Sequence, residues 1–192
     1  HYSPVVGLGH RRLSVIDLEG GKQPLYSGNT FVVVTFNGEI FNFMEIEAEL
    51  LSRGHTFRTR SDTEVIVHAW EEWGERCLER FNGMFAFAVW DERQKTLFIA
   101  RDRLGVKPLY YAETADGRLV FGSELKAIMA VPGMPRRIDP RAVEEYFTFG
   151  YVPDPHCIFT GVRKLPPGHV LSWHRDDGLS LRRYWSPLRP ET

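Results

Sequence analysis

The sequence has little of what marks a disulfide-stabilised, nucleic-acid-binding or membrane protein. Its 192 residues include only two cysteines, Cys77 and Cys157, which lie far apart and have no metal-like or disulfide-framework spacing. The 24 basic and 25 acidic residues give a net charge of −1, and no long basic run indicates nucleic-acid binding. Apolar runs are no longer than a strand, so no segment is expected to cross a membrane. These features favour a single globular domain in a reducing, cytoplasmic setting.

Histidines and cysteines give no sign of a metal centre or of a nucleophile. His10, His55 and His68 fall in different predicted elements without recurring ligand spacing, so we expect no metal site. Cys77 lies in a short predicted helix and is typical of a small core residue. Cys157 lies in a proline-rich loop, and no positioned base is evident for it.

Predicted strands and helices come in groups rather than in strict alternation, which is typical of an α+β fold. Strands are expected within residues 5–16 and at residues 31–36, where apolar residues continue on both faces. Hairpins are expected at residues 84–101 and 109–122. Helices are expected at residues 42–53, 61–73, 123–129 and from 139 onward, with caps at Ser61, Ser123 and Asp139. In the first hairpin, Phe85, Phe87 and Val89 should face one layer, and the small residues Ala86 and Ala88 should face another that packs closely.

The tripeptide Asn37-Gly38-Glu39 follows the apolar strand at residues 31–36. If the strand stops there, the side-chain amide of Asn37 and the backbone N–H of Gly38 become two hydrogen-bond donors at one corner. Two such donors suit the oxyanion of a tetrahedral intermediate. The alternative is a plain turn, because Asn-Gly is a strong hairpin signal.

Five sequence blocks in a fixed order identify a family resemblance. They are residues 9–17 (GHRRLSVID), 37–39 (NGE), 61–64 (SDTE), 82–88 (NGMFAFA) and 100–111 (ARDRLGVKPLYY). This set resembles the glutaminase domain of glutamine-hydrolysing asparagine synthetases, which are class II amidotransferases. The resemblance implies an N-terminal-nucleophile-hydrolase-like sandwich of two mainly antiparallel sheets flanked by helices, with the first strands missing. It also implies an N-terminally incomplete amidotransferase domain at residues 1–186 and the start of a linker at 187–192.

The resemblance assigns a glutamine site. Arg12 would pair with the α-carboxylate of glutamine, for which a guanidinium is well suited. Asp62 would face the α-ammonium, Glu39 would assist beside the donors, and Asn37 with Gly38 would form the oxyanion hole. The backbone of the next strand residues would line the main-chain end of the substrate; these residues are Leu13, Ser14, Val15 and Ile16. From the residues alone, Arg12 could instead form a structural ion pair, and Asp62 could instead stabilise the N-terminus of a helix.

One departure from the family concerns the nucleophile. The family opens with a Met-Cys-Gly-Ile-like segment whose cysteine attacks the amide carbon, with its own α-amino group as base. The present chain begins at His1-Tyr2-Ser3-Pro4 and has no such segment. We expect either several dozen further residues at its front or an engineered or processed fragment. The chain by itself should bind glutamine weakly at best and hydrolyse none.

The resemblance also implies partners and a product. Ammonia would pass to an ATP-pyrophosphatase synthetase domain of the same polypeptide, which amidates aspartate to asparagine. No Ser-Gly-Gly-x-Asp-Ser-type loop occurs in the chain, so ATP and magnesium are expected in that missing domain and no cofactor here. L-Glutamine is the expected ligand, and a homodimer is an allowed assembly. The alternatives are a nucleophile-less scaffold or regulatory domain, and an amidotransferase that makes a different amide, such as one tied to polysaccharide assembly. Retention of Arg12, Asn37 and Asp62 favours the enzyme.

Overall fold

The computed structural model describes residues 1–11, 21–174 and 176–187. Five predicted site residues therefore lie outside the described part: Arg12, Leu13, Ser14, Val15 and Ile16. Within residues 5–11 the predicted strand is wrong, because the described residues there form only an isolated bridge between Tyr2 and Gly7.

Nine strands and five α-helices make up the described part of the chain. The strands are β1 (Leu25–Tyr26), β2 (Val32–Ile40), β3 (Gly83–Asp91), β4 (Thr96–Arg101), β5 (Tyr110–Glu113), β6 (Leu119–Gly122), β7 (Val162–Lys164), β8 (His169–His174) and β9 (Gly178–Arg183). The helices are α1 (Phe43–Ser52), α2 (Asp62–Trp73), α3 (Cys77–Arg80), α4 (Leu125–Met129) and α5 (Pro140–Phe149). None of these helices is long and apolar enough to span a membrane.

All strand pairs are antiparallel, and they form two sheets. The first sheet has the order β1-β2-β3-β4-β8-β9 and the second has the order β6-β5-β7. One hydrophobic core joins the first sheet to α1, α2 and α3, and a second core lies between the two sheets. A third, smaller core packs α4 against the outer face of the second sheet. The layers are therefore helix, sheet, sheet and helix, which confirms the predicted α+β class and its two antiparallel sheets.

Strand β3 is buried on both faces and separates the first two cores. Phe85, Phe87 and Val89 pack toward the helices, whereas Ala86 and Ala88 face the second sheet. This alternation confirms the prediction from the sequence. The two alanines leave room between the sheets, and the site described below occupies part of that room.

Strand β2 continues through Asn37, Gly38 and Glu39 to Ile40, so the predicted strand end at residue 36 is wrong. Pairing with β3 is regular over the whole length, from Val32 opposite Asp91 to Ile40 opposite Gly83. The partner strand supplies the ladder hydrogen bonds that keep the Asn-Gly pair extended, and neither the predicted corner nor a turn forms there.

Most predicted helix starts are present. Ser61 Oγ accepts a hydrogen bond from the Thr63 N–H at 3.2 Å, and the side chain of Asp139 caps α5 by accepting from the Arg141 N–H. The predicted cap at Ser123 is wrong, because α4 begins after Glu124, whose side chain makes no capping hydrogen bond.

The charged segment Arg101-Asp102-Arg103 lies at the end of β4. Asp102 is 1% exposed and accepts hydrogen bonds from backbone N–H groups rather than from arginine. Its donors belong to Phe85, Leu104, Val106 and Lys107. Arg101 pairs instead with Asp154 at 3.0 Å. The carboxylate thus shapes the turn that follows β4, because it satisfies N–H groups that the ladder does not use.

Candidate functional site

A cavity of about 790 Å³ opens between the two sheets. Its lining comes from β2, β3, the start of α2, the second sheet, the approach to α4 and the described residues before the gap. The polar and charged members are His10, Arg11, Gln23, Thr35, Asn37, Glu39, Asp62, Thr63, Lys107, Ser123, Glu124 and Lys126. Gly38 also lines it. The structure therefore brings the four described site residues predicted from the sequence into one cavity, in which Asn37, Gly38 and Glu39 are half-buried.

The direction of the Gly38 N–H follows from its two neighbours on β2. The Phe36 N–H donates to Gln23 Oε1 at 2.6 Å, and the Ile40 N–H donates to Asp62 Oδ2 at 3.1 Å. Both groups therefore point away from β3, toward the strand edge. Because N–H directions alternate along a regularly paired strand, the Gly38 N–H between them points to the same edge. Strand β1 pairs only with Val33 and Val34, so its ladder ends before this position.

Glycine is required at position 38 because the backbone of β3 lies against it. A Cβ atom there would sit 2.1 Å from the carbonyl oxygen of Met84 and 2.7 Å from the Cα of Phe85. Its φ of +154° is also uncommon for residues with a side chain. The absence of a side chain thus keeps β2 close to β3 and leaves the backbone N–H accessible from the cavity.

Asp62 and Gln23 hold the strand edge in place. Asp62 is 5% exposed, lies in the first turn of α2 and also reaches the end of β2. Ser61 caps the helix, as expected, but Asp62 is not left free, because it fixes Ile40. Gln23 bridges the strand and the helix, since its Nε2 donates to Thr63 Oγ1 at 3.3 Å while its Oε1 holds Phe36. Sequence reasoning missed Gln23, because its loop carries no signal beyond a proline at the next position.

Charges of both signs line the cavity. Asp62 and Glu39 supply carboxylates from the first sheet side, and Arg11 lies at its rim. Lys107 and Lys126 also line the cavity from the segments around the second sheet, and the ammonium group of Lys126 pairs with Glu124 at 2.6 Å. This mixture suits a zwitterionic ligand with a polar tail, because each end of such a ligand finds a group of opposite charge. The two lysines carry no motif in the sequence and could be recognised only from the fold.

Neither cysteine reaches this cavity. Cys77 is fully buried in the core beneath the helices, and Cys157 is buried in the core beside α4. Burial raises the pKa of both thiols, so little thiolate forms near neutral pH. The expectation that neither serves as nucleophile is supported by this placement.

Two histidines lie close together although they belong to different elements, as predicted. His55, in the loop before α2, and His68, within α2, have ring centroids 5.1 Å apart. The chain separates these residues by a dozen positions, and the packing of that loop on the helix brings them together.

Comparison with known proteins gives the family. Residues 1–185 match a family model described as a glutamine amidotransferase domain. The chain therefore belongs to the glutamine amidotransferase domain family. It is 46% identical over 182 residues to glutamine-hydrolyzing asparagine synthetase 3 of Bacillus subtilis, covering 93% of this chain and 29% of that protein. It is 39% identical over 180 residues to the corresponding synthetase of Zea mays, covering 94% of this chain and 25% of that protein. The chain thus spans less than a third of these relatives and matches their glutaminase part.

Solved structures agree on the fold. The glutamine phosphoribosylpyrophosphate amidotransferase of B. subtilis superposes with a TM-score of 0.58 at 23% identity, covering 85% of this chain and 32% of that one. A structure described as the allosteric regulatory enzyme of purine biosynthesis superposes with a TM-score of 0.61 at 22% identity. The match covers 91% of this chain and 34% of that one. This likeness confirms the N-terminal-nucleophile-hydrolase-like arrangement of two sheets and flanking helices.

Proposed function

We propose that this domain binds L-glutamine and hydrolyses its side-chain amide, and that the ammonia serves a synthetase domain that converts aspartate to asparagine. Its main support is Gly38, whose N–H points to the edge of β2 away from β3 and which lines one cavity together with Asn37, Glu39 and Asp62. Family membership and the named activity of the relatives agree with this reading. ATP and Mg²⁺ would act in the synthetase domain, in the cytoplasm.

The two donors would act on the oxygen of the glutamine amide. When a thiolate attacks the amide carbon, that oxygen gains negative charge, and donors already in position stabilise it without reorganising. Departure of ammonia leaves a thioester, which water hydrolyses to glutamate. Neither Cys77 nor Cys157 lines the cavity, so in this proposal the thiolate is that of the N-terminal cysteine that the family resemblance implies.

The amino-acid end of glutamine would be held by charge. The carboxylate of Asp62, assisted by Glu39, would face the α-ammonium, and Arg12 would bind the α-carboxylate with paired hydrogen bonds. A scaffold that binds no ligand would not need Asn37, Glu39 and Asp62 around an open cavity. We therefore favour the enzyme domain over the scaffold. The identity of the amide product follows from the named relatives alone, and a homodimer remains an expectation.

Binding can be tested on the chain as it stands by NMR titration. Millimolar L-glutamine should shift the backbone amide signals of Asn37, Gly38 and Ile40. Glutaramic acid, which lacks the α-ammonium, and L-glutamate, which lacks the amide, should shift them much less. Equal effects from all three compounds, or shifts confined to other residues, would contradict the proposed site.

The proposed partner domain finds a suitable surface on α5. Tyr146, Phe147, Phe149 and Tyr151 are all more than half exposed, with Phe147 at 84%, and within the helix only Ala142 is buried. Contiguous exposed aromatic residues are uncommon on an isolated domain and mark interfaces. The relatives carry more than two thirds of their length outside the matched part, so we assign this surface to the synthetase domain.

A pair of variants tests this assignment in a polypeptide that carries both domains. Phe147→Ser should lower glutamine-dependent amidation while glutamine hydrolysis and ammonia-dependent amidation persist. Leu181→Ser, at an apolar residue 48% exposed on β9, serves as the matched control. Unchanged coupling in Phe147→Ser, or an equal loss in the control, would remove α5 from the interface.

A further inference from the structure

A second cluster of chemically capable side chains lies at the other end of α2 from Asp62. His55, His68 and Glu71 each offer one ligand atom, and these atoms all lie within 4.8 Å of one another. His68 Nδ1 lies 3.0 Å from Glu71 Oε2, and the centroids of the two imidazole rings, which are tilted by 54°, lie 5.1 Å apart. Two imidazoles and a carboxylate form a donor set that Zn²⁺ prefers, whereas Mg²⁺ and Ca²⁺ prefer oxygen alone.

A further carboxylate lies near each ring, and the one beside His55 is within hydrogen-bond distance. His55 Nε2 lies 3.1 Å from Glu72 Oε2, and His68 Nε2 lies 3.7 Å from Glu64 Oε1. Glu64 is itself fixed, because its carboxylate accepts from the backbone N–H groups of Arg58 and Thr59. Metal-binding histidines usually have such a carboxylate on the second ring nitrogen, which leaves the first nitrogen for the metal. Nδ1 is therefore the nitrogen available in His55, and in His68 the ion would replace the proton shared between Nδ1 and Glu71 Oε2, which lie 3.0 Å apart.

Charge also favours a cation at this position. The carboxylates of Glu64, Glu71 and Glu72 surround the two rings. Arg53 pairs with Glu72 at 3.0 Å, but it is also shared with Glu49. With neutral imidazoles the cluster has an excess of negative charge, which a divalent ion would balance.

We propose that His55, His68 and Glu71 bind one Zn²⁺ ion, with the fourth position open to water. Ligand atoms around a tetrahedral zinc are about 3.3 Å apart, so no pair of ligand atoms needs to close by more than about 1.5 Å. His55 and Glu71 are at the surface end of the cluster and can make that movement by side-chain rotation. The ion would fasten the loop before α2 to the helix whose first residue, Asp62, lines the cavity. This inference does not depend on glutamine hydrolysis.

The test uses the chain after removal of metal with a chelator. Calorimetric titration with Zn²⁺ should show one saturable site, and Co²⁺ should give the visible absorption of a low-symmetry nitrogen and oxygen site. Hydrogen exchange in residues 55–62 should slow when Zn²⁺ is present. His55→Gln and Glu71→Gln should each abolish saturable binding, and Glu64→Gln should weaken it about 10- to 100-fold.

His156→Gln is the matched control, because His156 also pairs with a glutamate, Glu145, at 2.6 Å but has no second histidine in that pair. It should bind Zn²⁺ like the unmodified chain. Circular dichroism of each variant separates loss of binding from loss of fold, and His55, being partly exposed, is the safer substitution than buried His68. Saturable binding that survives His55→Gln, or is lost in His156→Gln, would overturn the proposal. So would the absence of binding in the folded, unmodified chain.

Discussion

The carboxylate of Asp62 accepts a hydrogen bond from the backbone N–H of Ile40 at 3.1 Å. This contact joins the first turn of α2 to the end of β2, two residues beyond Gly38. The buried Asp62 side chain therefore supports the strand that carries the proposed oxyanion donors, and it also lines the cavity.

Asp62→Asn should therefore affect both binding and stability. The affinity for L-glutamine should fall about 10- to 100-fold, since a hydrogen bond to a charged group contributes about 1.5–3 kcal/mol. The free energy of unfolding should fall by about 1 kcal/mol, because the amide oxygen still accepts from Ile40. Urea titration and NMR titration measure the two effects. Asp116→Asn, at an exposed turn residue, should change neither, and equal glutamine affinity in both variants would remove Asp62 from the substrate site.

Asn37→Ala should affect turnover more than binding. In a polypeptide that carries the nucleophile, kcat for glutamine hydrolysis should fall about 100- to 1,000-fold, because one of two oxyanion donors is lost. KM should change only a few-fold, since the donor acts on charge that develops in the transition state. Steady-state measurement of ammonia release gives both values. Asn29→Ala, in an exposed turn, is the control, and a pure KM effect in Asn37→Ala would contradict the oxyanion role.

Gly38→Ala should destabilise the fold, because its Cβ would meet the β3 backbone at 2.1 Å. We expect a loss of about 3 kcal/mol or more, since backbone atoms cannot rotate away as a side chain can. Gly178→Ala is an informative control: its φ is +74°, but nothing lies within 4 Å of the added atom. It should lose only about 1–2 kcal/mol from backbone strain. If urea unfolding shows that the two variants lose a similar free energy of unfolding, crowding of the Cβ atom at position 38 is unimportant.

The two cysteines should be unreactive in the folded chain. Cys77 and Cys157 are buried with raised thiol pKa values, so alkylating reagents should modify neither until urea unfolds the protein. Mass spectrometry before and after unfolding counts the modified thiols. Ser180→Cys, at an exposed position of β9, should react at once and confirms that the reagent is active. Rapid modification of either thiol in the folded protein would contradict this prediction and would make that cysteine a candidate nucleophile.

Local sequence patterns predicted much of the fold. The hairpin of β3 and β4, the helices α1 and α2, and the cap at Asp139 depend on alternation, periodicity and capping, which neighbouring residues determine. The short strands β7, β8 and β9 were not predicted. Strand β7 pairs with β5 and β8 pairs with β4, so both depend on distant segments, whereas β8 and β9 form a hairpin that Asp177-Gly178 could have indicated.

In the candidate site, too, the sequence predicted the residue types, whereas tertiary contacts decided how they are arranged. Asn37, Gly38 and Asp62 could be selected from their motif blocks, which specify the kinds of donor and acceptor present. The extended path of β2 through Gly38 depends on pairing with β3, more than 40 residues further along the chain, and the direction of its N–H depends on Gln23 and Asp62. The meeting of His55 with His68 likewise results from packing of a loop on a helix. Such long-range contacts have no signature in local composition, because they form only when separate segments bury their surfaces together.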